Sequence, residues 1–276
     1  MRRALRYVVV LVLVGIVVLP FAWIALSSLR PNAELIDPDA PLRVEQLTLD
    51  NYSNLNEATA GVGLPGYFTF LANSFIVAGI TTAISVPLAL LAAYSVYRTQ
   101  YPGRRAMFRL LIITYVFPGV VLLIPLFQLF AQVGLIDNLW SLIIVNVTFS
   151  APFSVWLMRG FFSSIPRSVE EAAAVDGVGR LRTLVGIILP LTAPGVAVAA
   201  MYSFIVAWTE YMFASAFILD DSIKTLPIGL GAFIAQYYQD WGILAASAVA
   251  TLAPVVVLFA FLGRYFVRGL MTGAER

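Results

Sequence analysis

The chain has 276 residues, 61% of them hydrophobic and only 12% charged, with a mean hydropathy of +0.90; a soluble domain carries about 25% charge, so no single water-soluble core explains this composition. It has no cysteine and no histidine, which excludes disulfides, iron–sulfur clusters and thiol nucleophiles, and removes the commonest metal ligand and general base. The formal net charge of +2 says less than its distribution along the chain.

Six apolar segments are long enough to cross ~30 Å of hydrocarbon, which takes roughly 20 helical residues. They lie near residues 7–29, 68–97, 107–132, 140–162, 187–218 and 243–266. Lipid offers the backbone no water partners, and the alternating pattern of a barrel is missing, so each span is predicted as a helix. The first follows Arg2 and Arg3, and Ala25-Leu26-Ser27 resembles a cleavage site. Its apolar run from Tyr7 to Leu26 exceeds a signal peptide's hydrophobic region, so it reads as a retained helix.

Residues 30–67, with Pro31, Pro38, Pro41 and Pro65, form one sizeable loop expected to lie on the membrane surface. Residues 133–139 form a tight turn, and 219–242 a third loop on the same side. Pro118, Pro125, Pro152, Pro190 and Pro194 are expected to break or kink their spans. With the N-terminus placed in the cytoplasm, 14 arginines fall inside and only Arg30, Arg43 and Lys224 outside. Acids run the other way. The positive-inside rule therefore puts both termini in the cytoplasm.

The loop 163–186 lies on the basic side between two apolar segments. Ser168-Val169-Glu170-Glu171 fits a capping box, with Pro166 close to the helix start. Ala172, Ala173 and Ala174 favour helix, and Gly177 suits a left-handed end. The spacing predicts a short helix over about 168–176, then a turn past Asp176 and Gly177, then a second helix from Arg180. Small alanines would let a partner surface approach closely. The plainer alternative is an interfacial amphipathic helix.

Within the spans Glu210 stands out. A charge in mid-bilayer costs about 2.5–3.5 kcal/mol on insertion scales, so an acid there is a functional candidate unless it is hydrated or paired near the span's outer end. Asn73, Tyr115 and Tyr211 join it as candidates for a polar pathway, with Gln128, Asn146 and Tyr202 read mainly as helix-to-helix partners. In the last external loop, Gln236, Tyr237, Tyr238 and Trp241 could meet a partner, since aromatic side chains anchor interfaces, or form a membrane-interface belt. No G-x-x-x-x-G-K-[ST] run is present, so the chain cannot cradle ATP as a phosphate-loop protein does.

The pattern Glu171-Ala172-Ala173-x3-Gly177-x9-Ile187-x-Leu189-Pro190 resembles the signature loop of permease subunits in binding-protein-dependent ABC importers. Further likeness runs through Ala92-Ala93-Tyr94-Ser95-Val96-Tyr97-Arg98, Phe117-Pro118-Gly119, Ile124-Pro125-Leu126, Arg159 to Pro166, Trp208-Thr209-Glu210-Tyr211 and Tyr265 to Leu270. Together these cover roughly 68–272 and are similar to the six-helix subunit of the maltose-transporter type. The resemblance implies an all-α integral membrane protein of the type I ABC importer permease fold, with six transmembrane helices. It implies three parts: an N-terminal helix and loop (1–67), a core permease domain (68–266) and a tail (267–276).

It also implies transport of a sugar, most plausibly a di- or oligosaccharide, across a bacterial or archaeal cytoplasmic membrane. The chain would be non-catalytic and bind neither cofactor nor metal, with ATP and Mg held by a partner ATPase. Partners would be a paralogous permease, an ATP-binding cassette ATPase dimer, an extracytoplasmic solute-binding protein and the lipid bilayer, but no nucleic acid. Glu170, Glu171, Ala172, Ala173, Asp176, Gly177 and Arg180 would couple to the ATPase. Thr209 stands where the family usually has Asn, and the tail ends Gly273-Ala274-Glu275-Arg276 rather than in the family's Gly-Ala-Val-Lys-Gly. The alternatives are a proton-coupled secondary transporter using Glu210, or an ABC permease for a non-sugar solute such as glycerol phosphate.

Overall fold

The computed structural model describes residues 2–37, 46–61, 63–236 and 240–274, and among these it is helical without strands. Among the described residues, four helices are long and apolar enough to span a membrane singly, and two bent helix pairs bring the total to six if each pair is one span. The chain divides into two units, residues 1–71 with 228–254, and residues 72–227 with 255–276.

In the first unit, α1 (Arg2–Ser27) carries the most apolar run and is exposed along nearly its whole length, as suits lipid as a solvent. The loop expected after it contains short helices among its described residues, α2 (Asn32–Ile36), α3 (Asp50–Ser53) and α4 (Leu55–Gly61). Asn51 is buried and donates to the carbonyls of Ser28 and Arg30, both at 2.9 Å. Arg30, itself buried, pairs with Glu34 one helical turn on, at 3.3 Å. The start of α5 (Tyr67–Arg98) belongs here, and the Tyr67 hydroxyl donates to the Ser247 carbonyl at 3.2 Å. That carbonyl lies in α15 (Trp241–Ala274).

Residues 226–236, part of the loop expected over 219–242, form α14 (Leu226–Gln236) instead, with Pro227 in its first turn. Proline is tolerated in a first helical turn, where its missing amide has no partner to lose. Gly229 is required by packing, because a Cβ there would run into the Phe70 ring.

The second unit is built on α5, α8 (Leu139–Ser164) and α12 (Ala193–Trp208). Its core is Ala89, Ala93, Val155, Met158, Phe162, Leu184, Ile188 and Ala199. Small residues let these helices approach closely, as in membrane bundles generally. Ser85 and Ser150 share a hydrogen bond of 2.8 Å between α5 and α8, and Ser154 and Ser203 one of 3.4 Å between α8 and α12. Gly195 lies flat against Phe161, whose ring a Cβ would meet at 2.5 Å.

Two expected spans are broken. The span expected over 107–132, with a break or kink at Pro118, divides there: α6 (Arg104–Val116) and α7 (Gly119–Gln132) meet at 95°. Phe117 and Pro118 are both extended, with ψ of 129° and 118°. The proline's ring drives the residue before it out of the helical region. Pro125 and Pro152, by contrast, sit inside continuous helices.

The fifth span, expected over 187–218, is a series of short pieces. It runs through α10 (Arg180–Thr183), a π-turn at Leu184–Ile188 and α11 (Leu189–Leu191), bends by 80°, and continues as α12 only to Trp208. In the π-turn the Leu189 amide reaches back five residues to the Leu184 carbonyl, so the register slips by one just before Pro190, which has no amide to give. After Trp208 the chain leaves the helix and restarts as α13 (Met212–Phe217).

The tight turn at 133–139 forms as expected, with Gly134 and Asp137 at positive φ. Asn138 caps α8 by accepting from the Trp140 amide at 3.0 Å. The Asp137 carboxylate accepts from the Asp220 amide at 2.8 Å, tying this turn to the segment after α13.

Candidate functional site

The basic-side loop builds α9 (Ser168–Val175), one residue shorter than expected. The capping box is not formed. Arg167, in a helical conformation, occupies the cap position, and Ser168 is already the first helical residue, without a side-chain cap. The Glu171 amide is satisfied by the Arg167 carbonyl at 3.1 Å. The far end follows the sequence. Gly177 has φ +75°, its amide reaches Ala174 at 3.1 Å, and the Val178 amide reaches Ala173 at 2.9 Å. These two bonds are a Schellman end, which satisfies the last carbonyls by turning the chain left-handed. A Cβ on Gly177 would meet nothing within 4 Å. The glycine is there for its φ, and the space beside it is open.

The loop presents one face and buries another. Ala173 is buried, whereas Glu171, Ala172, Asp176, Gly177 and Arg180 are exposed. Val175 is 88% exposed, and sequence reading missed it because one valine beside an alanine run carries no periodic signal. Glu170 points back toward the bundle. Its Oε1 lies 3.3 Å from Nε of Arg98, at the end of α5, as an ion pair not aligned for a hydrogen bond. The other side of the Arg98 guanidinium donates to the carbonyls of Phe162 and Ile165, at 2.9 and 2.7 Å, where α8 ends. The Arg98 side chain is only 2% exposed. One buried arginine thus joins α5, the end of α8 and α9. Sequence reading counted Arg98 only as one more charge on the basic side. Tyr94, Arg98, Glu170 and Arg180 line a cavity of ≈ 420 Å³ beside the loop.

The four pathway candidates fall at three separate places, Glu210 and Tyr211 being neighbours in the chain. Asn73 is buried near the start of α5 and donates to the carbonyls of Ser222 and Lys224, both at 3.0 Å. Both donor bonds hold a turn. Tyr115, at the end of α6, is partly exposed, with its ring 5.5 Å from Phe153, which in turn lies 4.2 Å from Tyr202. Glu210 stands outside a span helix, in the break after α12. Its carboxylate accepts from the amides of Phe213 and Ala214, at 2.6 and 2.8 Å, and so caps α13. A carboxylate there faces the positive end of a short helix. Tyr211 is 55% exposed. Among the described residues no hydrogen bond or ring contact joins Asn73, Tyr115 and Glu210 to one another.

Of the last group, Tyr237 and Tyr238 lie outside the described residues, as does the side chain of Gln236. Trp241 opens α15 with its indole exposed and its amide donating to Oδ1 of Asn32 at 3.0 Å.

Residues 85–272 match the family "Binding-protein-dependent transport system inner membrane component". The chain is 32% identical to the trehalose/maltose transport system permease protein MalG of Thermococcus litoralis, over 99% of this chain and 97% of that one. It is also 32% identical to the sulfoquinovosyl glycerol transport system permease protein SmoH of Agrobacterium fabrum, covering 98% and 93%. Among solved structures, a chain of a bacterial ABC transporter involved in import of the acidic polysaccharide alginate superimposes with a TM-score of 0.74 at 25% identity, covering 96% and 98%. The matched segment contains α9, Gly177 and most of the second unit. The chain belongs to the binding-protein-dependent transport system inner membrane components, a family of transporter permease subunits.

Proposed function

We propose that this chain is the translocation subunit of an ATP-driven, binding-protein-dependent sugar importer, coupled through α9 to a separate ATPase. One observation carries the reading. A short helix closed by a left-handed glycine exposes Ala172, Val175, Asp176 and Gly177, and is rooted in two long helices by Arg98. That face is small and open, which lets a partner surface approach it closely. A partner that pushes on α9 would move the ends of α5 and α8 together. ATP and Mg would sit on that partner, and this chain would bind no cofactor. A paralogous permease would complete the pathway, and a solute-binding protein would deliver the sugar to the side bearing Trp241 and residues 236–238. Both termini would then lie in the cytoplasm. The relatives' trehalose, maltose and alginate support a carbohydrate. The sulfoquinovosyl glycerol relative favours a second reading within the same mechanism, a glycerol glycoside or related polyol.

The chain has no cysteine, so a single introduced thiol can be followed without background. Val175→Cys should cross-link to the ATPase in the assembled complex, and nucleotide should change the yield. Cross-linking only to lipid-facing probes, with an active complex and a positive control elsewhere, would sink the coupling assignment.

A further inference from the structure

The first turn of α6 has the wrong charge. Arg104 and Arg105 open this helix, and Arg109 follows one turn later. Cations are disfavoured at a helix N-terminus, where the unpaired amides already carry partial positive charge. The cap position is Gly103, at φ 85°, and no side chain caps the helix. Arg159 from α8 and Arg167 from the start of the α9 loop turn toward the same place. With Phe108 these five arginines line a cavity of ≈ 630 Å³, and no acid is among its described lining residues.

Part of this charge is accounted for within the chain. The Arg159 guanidinium lies over the Phe108 ring at 4.5 Å, and Arg104 donates to the Thr99 carbonyl at 2.5 Å. These contacts orient the arginines but neutralise none of them. Five like charges around one cavity, beside uncapped amides, form a site suited to an anion. The same helix indicates the anion's chemistry. Met107, Leu110 and Ile113 are 40%, 61% and 63% exposed, and their three-residue spacing makes an apolar strip on the same helix, starting next in sequence to the cavity-lining Phe108. An anion with a hydrocarbon tail satisfies both features at once.

We propose that this cavity is a binding site for the phosphodiester headgroup of an anionic phospholipid, with an acyl chain lying along Met107, Leu110 and Ile113. Guanidinium forks suit phosphate oxygens, and basic pockets between transmembrane helices hold such headgroups. The lipid would fix α6 against the end of α8 and the root of the α9 loop.

The test is native mass spectrometry of the full chain, titrated with phosphatidylglycerol and phosphatidylcholine of identical acyl chains. Phosphatidylglycerol should bind at least about tenfold more tightly. Arg105→Gln/Arg109→Gln/Arg159→Gln should bring the two lipids level while circular dichroism stays unchanged. In parallel, a phosphatidylglycerol carrying a photoreactive acyl chain should label Met107 or Leu110 in the wild-type chain, a readout that needs no variant. Equal binding of the two lipids, an unchanged preference in the triple variant, or labelling confined to other helices would each overturn the proposal. Inorganic phosphate that displaces the lipid at equal concentration would assign the cavity to a free anion instead. A preference present in the isolated chain but lost in the assembled importer would assign it to a protein partner and likewise overturn the lipid site.

Discussion

Arg98 meets three partners with one planar group: its Nη2 donates to two carbonyls and its Nε faces Glu170. Arg98→Ala would leave the Phe162 and Ile165 carbonyls without their donor and Glu170 without its charge partner. Unmade buried bonds of this kind cost about 1–3 kcal/mol each, but Glu170 stays 21% exposed, so water recovers part of its share. The expected loss is about 2 kcal/mol in thermal unfolding of the purified chain. Arg98→Lys should fall between, because an ammonium lacks the guanidinium fork. Arg98→Ala/Glu170→Ala should be milder than the sum of its single changes, since it removes the stranded carboxylate too. An Arg98→Ala protein that melts with wild type would show that the latch carries no load. Gly177 makes a separate demand. Its φ of +75° costs a residue bearing a Cβ about 1–2 kcal/mol, and proline cannot reach it at all. Gly177→Pro should abolish transport by the assembled complex while the chain still inserts. Gly177→Ala should impair it less, because the added methyl meets no neighbour. Transport by Gly177→Pro at the wild-type rate would remove the turn from the mechanism.

Helices in this chain end where proline and packing agree, and composition alone could not tell which prolines would win. Pro118 breaks a span, whereas Pro125 and Pro152 are absorbed inside α7 and α8. A proline can remain in a helix when neighbouring elements fix the helix on both sides, and that information is tertiary. The same limit explains why 187–218 read as one span. Its apolar residues run on past Trp208, and hydropathy does not register the restart at α13, which depends on a local carboxylate cap. The short coupling helix was legible because its signals are local: three alanines, then a glycine at the turn. Its capping box was misread because serine and glutamate at the right spacing do not by themselves keep Arg167 out of the helix. The latch was not legible, since Arg98 and Glu170 are far apart in sequence and one arginine among 16 has no distinguishing pattern. Where α8 and α12 meet, the seam rests on Gly195 against Phe161. Gly195→Ala should therefore cost about 1–3 kcal/mol, an overpacking penalty that outweighs alanine's better helix propensity. Thermal melting in detergent measures it, and a stabilised Gly195→Ala protein would mean that the two helices part more easily than this contact allows.

At the scale of the whole molecule, the question is where the energy for transport enters. The chain has no phosphate loop, and Arg167, Arg180 and Arg182 flank α9 in sequence. Glu210 is the one acid that sequence reading could assign to a proton path, and its carboxylate is already engaged by two amides at the start of α13. These facts separate two mechanisms by their response to one variant and one reagent. If the importer runs on ATP, uptake into proteoliposomes holding internal ATP, with the ATPase and binding protein present, should be indifferent to an uncoupler. Glu210→Gln keeps one acceptor oxygen and should lose only part of the cap, about 1 kcal/mol of local stability, so uptake should fall modestly. Glu210→Leu removes both acceptors, frays α13 and should reduce uptake severely. In a proton-coupled carrier Gln would be as damaging as Leu, because neither can be charged, and wild-type uptake would collapse with the gradient. Uptake that stops with the uncoupler while ATP is plentiful would refute ATP-driven import. Uptake indifferent to the uncoupler but lost equally in Gln and Leu would keep the ATP-driven reading and show that the cap needs the full negative charge, as a helix N-terminus facing low dielectric would demand.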